Sequence, residues 1–284
     1  MKKLLTLFVA MLFTAGMAFS QSNDASIDQV GDDHEAVIEQ VGSSNLSSVD
    51  QEGAGAEAST DQDGAGNLAT QVQEVYSLLG SASASASIEQ VGDNNTATQF
   101  QYALGAMIAS GNVSAGIEQE GNGNVASQTQ NALGAFMAGA SADAEINQEG
   151  IGNEATQTQE AVAAFMGSSS ADASISQIGE DNAATQMQGT LGLLGVYDVD
   201  ADIEQFGDGN EASQTQEGES LIATILQTGD SNFASQFQLG SGISSEITQD
   251  GNMNRATVMQ ESNYSNADIT QTGDQNNATI TQNN

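Results

Sequence analysis

The 284-residue chain has no cysteine, no proline and no tryptophan, and only three basic residues, Lys2, Lys3 and Arg255. Each absence excludes something. Small exported domains often rely on disulfides, so without cysteine the stability of this fold has to come from elsewhere. Proline cannot donate to a strand ladder, and its absence fits a chain in which nearly every strand has a neighbour on both sides. Against the three basic residues stand 38 acidic ones, a formal net charge of −35. Binding nucleic acid requires basic groups that contact phosphate, so nucleic acid is excluded as a partner. The same charge keeps free chains apart by self-repulsion.

Long apolar runs are equally scarce. The one candidate is the opening "MKKLLTLFVAMLFTAGMAFS", with two lysines, a short apolar stretch and small residues near Ser20. It reads as an export signal over 1–20, cut before Gln21. Its removal takes away both lysines and leaves Arg255 against the 38 acidic residues, net −37. No later segment is long and apolar enough to span a bilayer, so the mature chain is expected to have no membrane span.

What the chain has instead is repetition. The pattern Q-x-G-x-x-N-x-A-x-x-x-Q begins twelve times, at Gln29, Gln40, Gln51, Gln62, Gln90, Gln119, Gln148, Gln177, Gln205, Gln227, Gln249 and Gln271. The spacing divides 21–284 into short 11-residue units over 25–73, long 28 to 29-residue units over 74–205 and 22-residue units over 206–284. Self-similarity at such periods signals a solenoid whose units bury their faces against one another.

Before each motif glutamine the residues alternate, as in Ala86-Ser87-Ile88-Glu89-Gln90 and Ala173-Ser174-Ile175-Ser176-Gln177. Period-2 alternation marks a strand with one buried face. The isoleucines Ile88, Ile117, Ile146, Ile175, Ile203, Ile225, Ile247 and Ile269 therefore point inward. So do the motif glutamines Gln90, Gln119, Gln148, Gln177, Gln205, Gln227, Gln249 and Gln271, and the closing ones Gln101, Gln130, Gln159, Gln188, Gln216, Gln238, Gln260 and Gln282. A buried amide is costly unless bonded, and a column of identical glutamines one strand apart supplies the bonds as a ladder.

Glycine and asparagine punctuate every unit: Gly92 and Asn95, Gly121 and Asn124, Gly150 and Asn153, Gly179 and Asn182, Gly207 and Asn210, Gly229 and Asn232, Gly251 and Asn254, Gly273 and Asn276. Glycine supplies positive φ, and asparagine tolerates a left-handed backbone while bonding its own main chain, so these are turns. His34 and Ala56 stand in the asparagine position of two N-terminal copies, where the loosest turns are expected. His34, the only histidine, reads as a turn substitution.

Counting A-x-x-x-Q segments predicts 21 strands, alternating between two sheets in ten to eleven rungs, about 50 Å long at roughly 4.8 Å per rung. Five long connections, 74–85, 102–114, 131–143, 160–172 and 189–200, all follow odd-numbered strands and so belong to one edge. Their Leu104, Met107, Leu133, Phe136, Met137, Phe165, Met166, Leu191 and Leu194 are expected to form a second apolar column beside the main core.

Copies such as "QVGDNNTATQFQ", "QEGNGNVASQTQ" and "QTGDSNFASQFQ" resemble the curlin repeat of curli subunits, over nearly all of 25–282. The serine six residues before the glutamine in that family is replaced here by Ala84, Val113 or Leu221, and kept at Ser265. The resemblance implies an all-β, two-sheet β-solenoid of about ten rungs that polymerises head to tail as a secreted functional amyloid fibre of the biofilm matrix, involved in adhesion. It also implies two further partners, a nucleator subunit and an outer-membrane curli secretion channel.

Other functions have less in the sequence to stand on. No nucleophile–base pair, phosphate cradle or metal-ligand spacing is present, so no catalytic residue, cofactor or metal is expected and the chain does not read as an enzyme. Turns such as Asp93-Asn94-Asn95 offer oxygen ligands but lack the calcium-solenoid repeat. The alternative is a monomeric surface- or ice-binding solenoid using an outward column of Thr98, Ser127, Thr156, Thr185, Ser213, Ser235, Thr257 and Thr279. Phe100, Met187, Phe237 and Met259 interrupt the neighbouring column.

Overall fold

A computed structural model describes residues 22–283; the export signal expected at 1–20 lies outside the described residues. The strands in chain order are β1 (Asp24–Asp32), β2 (Glu35–Ser43), β3 (Leu46–Ala54), β4 (Ala56–Ala65), β5 (Leu68–Leu78), β6 (Ser81–Asp93) and β7 (Thr96–Ala106). There follow β8 (Ser110–Asn122), β9 (Val125–Ala135), β10 (Gly139–Ile151), β11 (Glu154–Ala164), β12 (Ser168–Glu180), β13 (Ala183–Gly192) and β14 (Val196–Phe206). The last are β15 (Glu211–Glu219), β16 (Leu221–Thr228), β17 (Phe233–Ser241), β18 (Ser244–Asp250), β19 (Arg255–Glu261), β20 (Asn266–Thr272) and β21 (Asn277–Asn283).

Odd strands form one 11-stranded parallel sheet and even strands a 10-stranded one, each strand except those at the sheet ends bonded to the strand two before it and the strand two after it. The fold is thus an all-β, two-sheet solenoid. Register follows the repeat: Ala144, Ile146, Gln148 and Gly150 of β10 lie beside Ala173, Ile175, Gln177 and Gly179 of β12. A one-residue slip would turn every isoleucine and glutamine outward, so burial fixes that register.

Two clusters make up most of the interior. The first stacks the isoleucines from Ile88 to Ile269 against the alanines Ala97 to Ala256 of the facing sheet. Ile146 is 0% exposed, and burying one such side chain contributes about 1.5–3 kcal/mol. The second fills the long rungs with small residues, Val75, Ala103, Val113, Ala132, Ala142, Ala161 and Ala171.

That second cluster corrects the reading of the long connections. They do extend the strands, including the Ser/Ala run that begins β6, and they do enclose a second core. Their large apolar residues are not in it: Leu104 and Leu133 are half-buried, while Met107, Phe136, Met137, Phe165, Met166, Leu191 and Leu194 are exposed. The reason is parity. Gln101 faces inward, so Ala103 and Gly105 do as well and Leu104 does not. At Gly105 a Cβ would overlap the carbonyl oxygen of Ser81, so only small residues fit between the sheets at this edge.

Candidate assembly surface

Because every glutamine repeats at one strand spacing, each amide meets its counterpart above and below. In the even sheet Gln90 Nε2 donates to Gln119 Oε1, and the series runs unbroken from Gln40 to Gln271 at 2.8–2.9 Å. In the odd sheet the series from Gln29 through Gln101, Gln130, Gln159, Gln188, Gln216, Gln238 and Gln260 to Gln282 spans 2.6–3.4 Å. The second amide hydrogen crosses to the facing sheet, as from Gln148 to the Val125 carbonyl at 3.1 Å. Both donors are thereby satisfied, which is what permits a buried amide.

A third column, Gln71, Gln99, Gln128, Gln157, Gln186, Gln214 and Gln236, is equally continuous at 2.9–3.0 Å. The expected ladder residues did not include it. Its signal was in the sequence, since Gln99 shares parity with Gln101, but at this position the other strands carry Ile27, Val49, Val258 and Ile280 and hide the column from the twelve-copy pattern.

The asparagines form a fourth ladder along the edge where even strands turn into odd ones. Each backbone N–H donates to the side-chain oxygen of the asparagine one rung before, from Asn45 on Asn23 to Asn276 on Asn254, at 2.9–3.0 Å. The amide Nδ2 reaches forward to a motif glycine carbonyl, as Asn124 to Gly150 at 3.1 Å and Asn153 to Gly179 at 2.9 Å.

These asparagines do not carry the left-handed backbone expected of them. The residue just before does: Asn94, Asp181, Ser231, Met253, Gln275, or Gly123, Gly152 and Gly209. The expected bond to the asparagine's own turn is made as well, as from Asn45 Nδ2 to the Val41 carbonyl at 3.0 Å and from Asn153 Nδ2 to the Glu149 carbonyl at 3.3 Å. Gly150 combines φ of +124° with a position where a Cβ would overlap the Gly179 carbonyl oxygen, and Gly92, Gly121, Gly179, Gly207, Gly229 and Gly251 repeat the arrangement. Gly273, in the last such turn, has positive φ without that overlap. On the opposite edge His34 takes over the asparagine's part, its Nδ1 lying 3.4 Å from the backbone N of Ala56.

At the two ends of the described stack the ladders break off with opposite polarity. Gln29 and Gln40 donate upward but receive nothing on Oε1, whereas Gln271 and Gln282 receive a bond and each donate once, to main-chain carbonyls, leaving one N–H over. One end thus offers glutamine acceptors and the other glutamine donors. β1, β2, β20 and β21 each pair on one side only among the described residues. Ile27, Ile38 and Ile280, inward like Ile146, remain half-exposed there.

The outer faces differ from one another. On the even sheet small side chains leave an open furrow of about 1080 Å³ whose walls include Asp143, Asp172, Asp200 and Asp202. Partial burial raises the carboxyl pKa of Asp143 and Asp202, with bonds from Asp172 and Ser174 respectively opposing the rise. Burial raises that of Asp172 too, reinforced by the charges of Asp143 and Asp200. No cluster of metal-ligating side chains occurs among the described residues. On the odd sheet Thr98, Ser127, Thr156 and Thr185 are adjacent in register, and Phe100 and Met187 lie in the next outward column.

Parallel strands, identical register and unbroken amide ladders place the molecule among stacked β-solenoids whose rungs are close copies of one another. The model of one family, the curlin associated repeat, matches residues 21–53 and 244–273, close to the two ends of the stack. Over those two stretches the chain is similar to the curlin associated repeat. No curated protein matches it.

Proposed function

We propose that the chain is a secreted structural subunit that stacks head to tail into curli-like amyloid fibres outside the cell, serving in matrix and adhesion. The observation that carries this is the complementarity of the stack's ends. Donors on Gln271 and Gln282 face acceptors on Gln29 and Gln40 of a second copy, and half-exposed isoleucines meet half-exposed isoleucines. A head-to-tail contact that does not close on itself generates a filament. The curlin family match supports the same reading. The chain's own copies are the principal partner, with a nucleator subunit and an outer-membrane curli secretion channel as the others.

The test is seeded growth. Sonicated fibres of the chain, added to fresh monomer, should abolish the lag in thioflavin fluorescence, because each fibre end presents a ready template. Lag times indifferent to seed would refute templated stacking. Thermal hysteresis of a chain that stays monomeric would favour the surface-binding alternative built on the Thr98 to Thr279 hydroxyl column.

A further inference from the structure

Three of the long connections turn through two consecutive residues with left-handed backbone, and all six residues are large and apolar: Met107 and Ile108 (φ 55° and 67°), Phe136 and Met137 (56° and 66°), Phe165 and Met166 (55° and 78°). Left-handed backbone is unfavourable for any residue with a Cβ, and such turns ordinarily use Asn-Gly. Exposure at the same positions is also unfavourable: Phe165 is 57% and Ile108 76% exposed. Two local rules are broken at one place, in successive rungs, with no gain in the core.

The turns nevertheless make a regular surface. Phe136 and Phe165 stack with centroids 5.3 Å apart and planes 2° from parallel. The amides of Met107 and Ile108 donate to the carbonyls of Leu78 and Leu79 one rung below, at 2.8 and 2.9 Å. Beside this ridge runs a shallow groove of about 450 Å³, floored by small residues such as Gly80, Ala109 and Ala138. Segments 75–84, 103–113, 132–142, 161–171 and 189–197 contain no charged residue, in a chain of net charge −35. The opposite edge carries Asp93, Asp181, Asp208, Asp230 and Asp274 in its turns.

We infer that this uncharged edge is a lateral interface for the same edge of a second copy, ridge against groove, and that it holds neighbouring filaments together. The inference rests on the fibre reading above. Two arguments select this occupant. It is a strip on which two strongly acidic molecules can meet without bringing carboxylates together. Its knobs repeat at the strand spacing, about 4.8 Å, and only another stack with that rise matches them knob for knob along its length. Five rungs by one sheet separation make a strip of about 24 Å by 10 Å, roughly 240 Å². A stable pair needs about 800 Å² per partner, so two isolated chains do not pair. Along a filament the strip recurs in every subunit, and the contacts add as a multivalent array.

The experiment compares wild type with the quadruple variant Phe136→Asn, Met137→Gly, Phe165→Asn, Met166→Gly. Since Asn-Gly suits this backbone better than Phe-Met, the variant should fold with a higher melting temperature. The expected result is variant fibres that elongate at the wild-type rate but appear singly in electron micrographs, where wild type forms bundles; both monomers sediment as monomers. Variant fibres that bundle like wild type, or wild-type fibres that stay single, overturn the inference and leave the fibre reading intact. So does wild-type monomer, but not variant, co-sedimenting with phosphatidylcholine–phosphatidylglycerol vesicles, which makes the strip a lipid-binding face. A wild type that forms no fibre overturns the fibre reading and this inference together.

Discussion

At the residue scale, position within the rung matters more than hydrophobicity. Ile146 and Phe136 are both apolar, yet Ile146 is fully enclosed and Phe136 is 45% exposed. Ile146→Asp buries an unpaired charge between the sheets and should cost about 3–5 kcal/mol. Phe136→Asp leaves its carboxylate in water and should change stability by less than about 1 kcal/mol. Thermal unfolding of the two variants checks the difference, and comparable losses would contradict it. Asp172 gives a pH test. Its pKa is raised in the folded chain by burial and by Asp143 and Asp200 beside it, against the opposing hydrogen bond from Ser170. A carboxyl with a raised folded pKa destabilises above that pKa, and the penalty fades as pH falls through it. Asp172→Asn should therefore raise the melting temperature at pH 7 and leave it nearly unchanged at pH 3; an equal shift at both would rule out ionisation as the cause.

At the element scale, the parity that places Ile146 and Gln148 inward was legible, because it recurs in every copy and any slip exposes the whole set. The long connections were less so. Their Leu, Met and Phe residues stand out in hydropathy, while the side of the strand they occupy is set by counting from Gln101, and the small residues that fill the narrow gap give no hydropathy signal. The asparagine's role was half legible: its place in a turn and its bond there follow from residue type, but its bond to the next rung depends on a glycine 19 to 26 residues away in sequence. Within the glutamine columns the bonds are collective. Gln148→Leu leaves Gln119 Nε2 and Gln177 Oε1 without their partners at 2.8 Å, at about 1–3 kcal/mol for each group. A loss in denaturant midpoint equal to that of a surface substitution such as Thr156→Ala would show that the ladder adds nothing.

At the scale of the whole molecule, the described residues form a rod whose sides are closed by turns and whose ends are open. The charge is spread over the faces and the acidic turns, the uncharged strip lies along one edge, and unsatisfied ladder positions are concentrated at the two ends. In the fibre proposed above, this distribution would direct growth along the axis before anything happens at the sides. The central claim is that the ladders of one chain continue into the next, and it is tested most directly by electron microscopy with diffraction on purified chain from Gln21 onward, held at neutral pH and moderate salt. The account predicts unbranched filaments with an axial reflection near 4.8 Å. Chain that remains dispersed as monomers at high concentration, or aggregates without an axial 4.8 Å reflection, would contradict it.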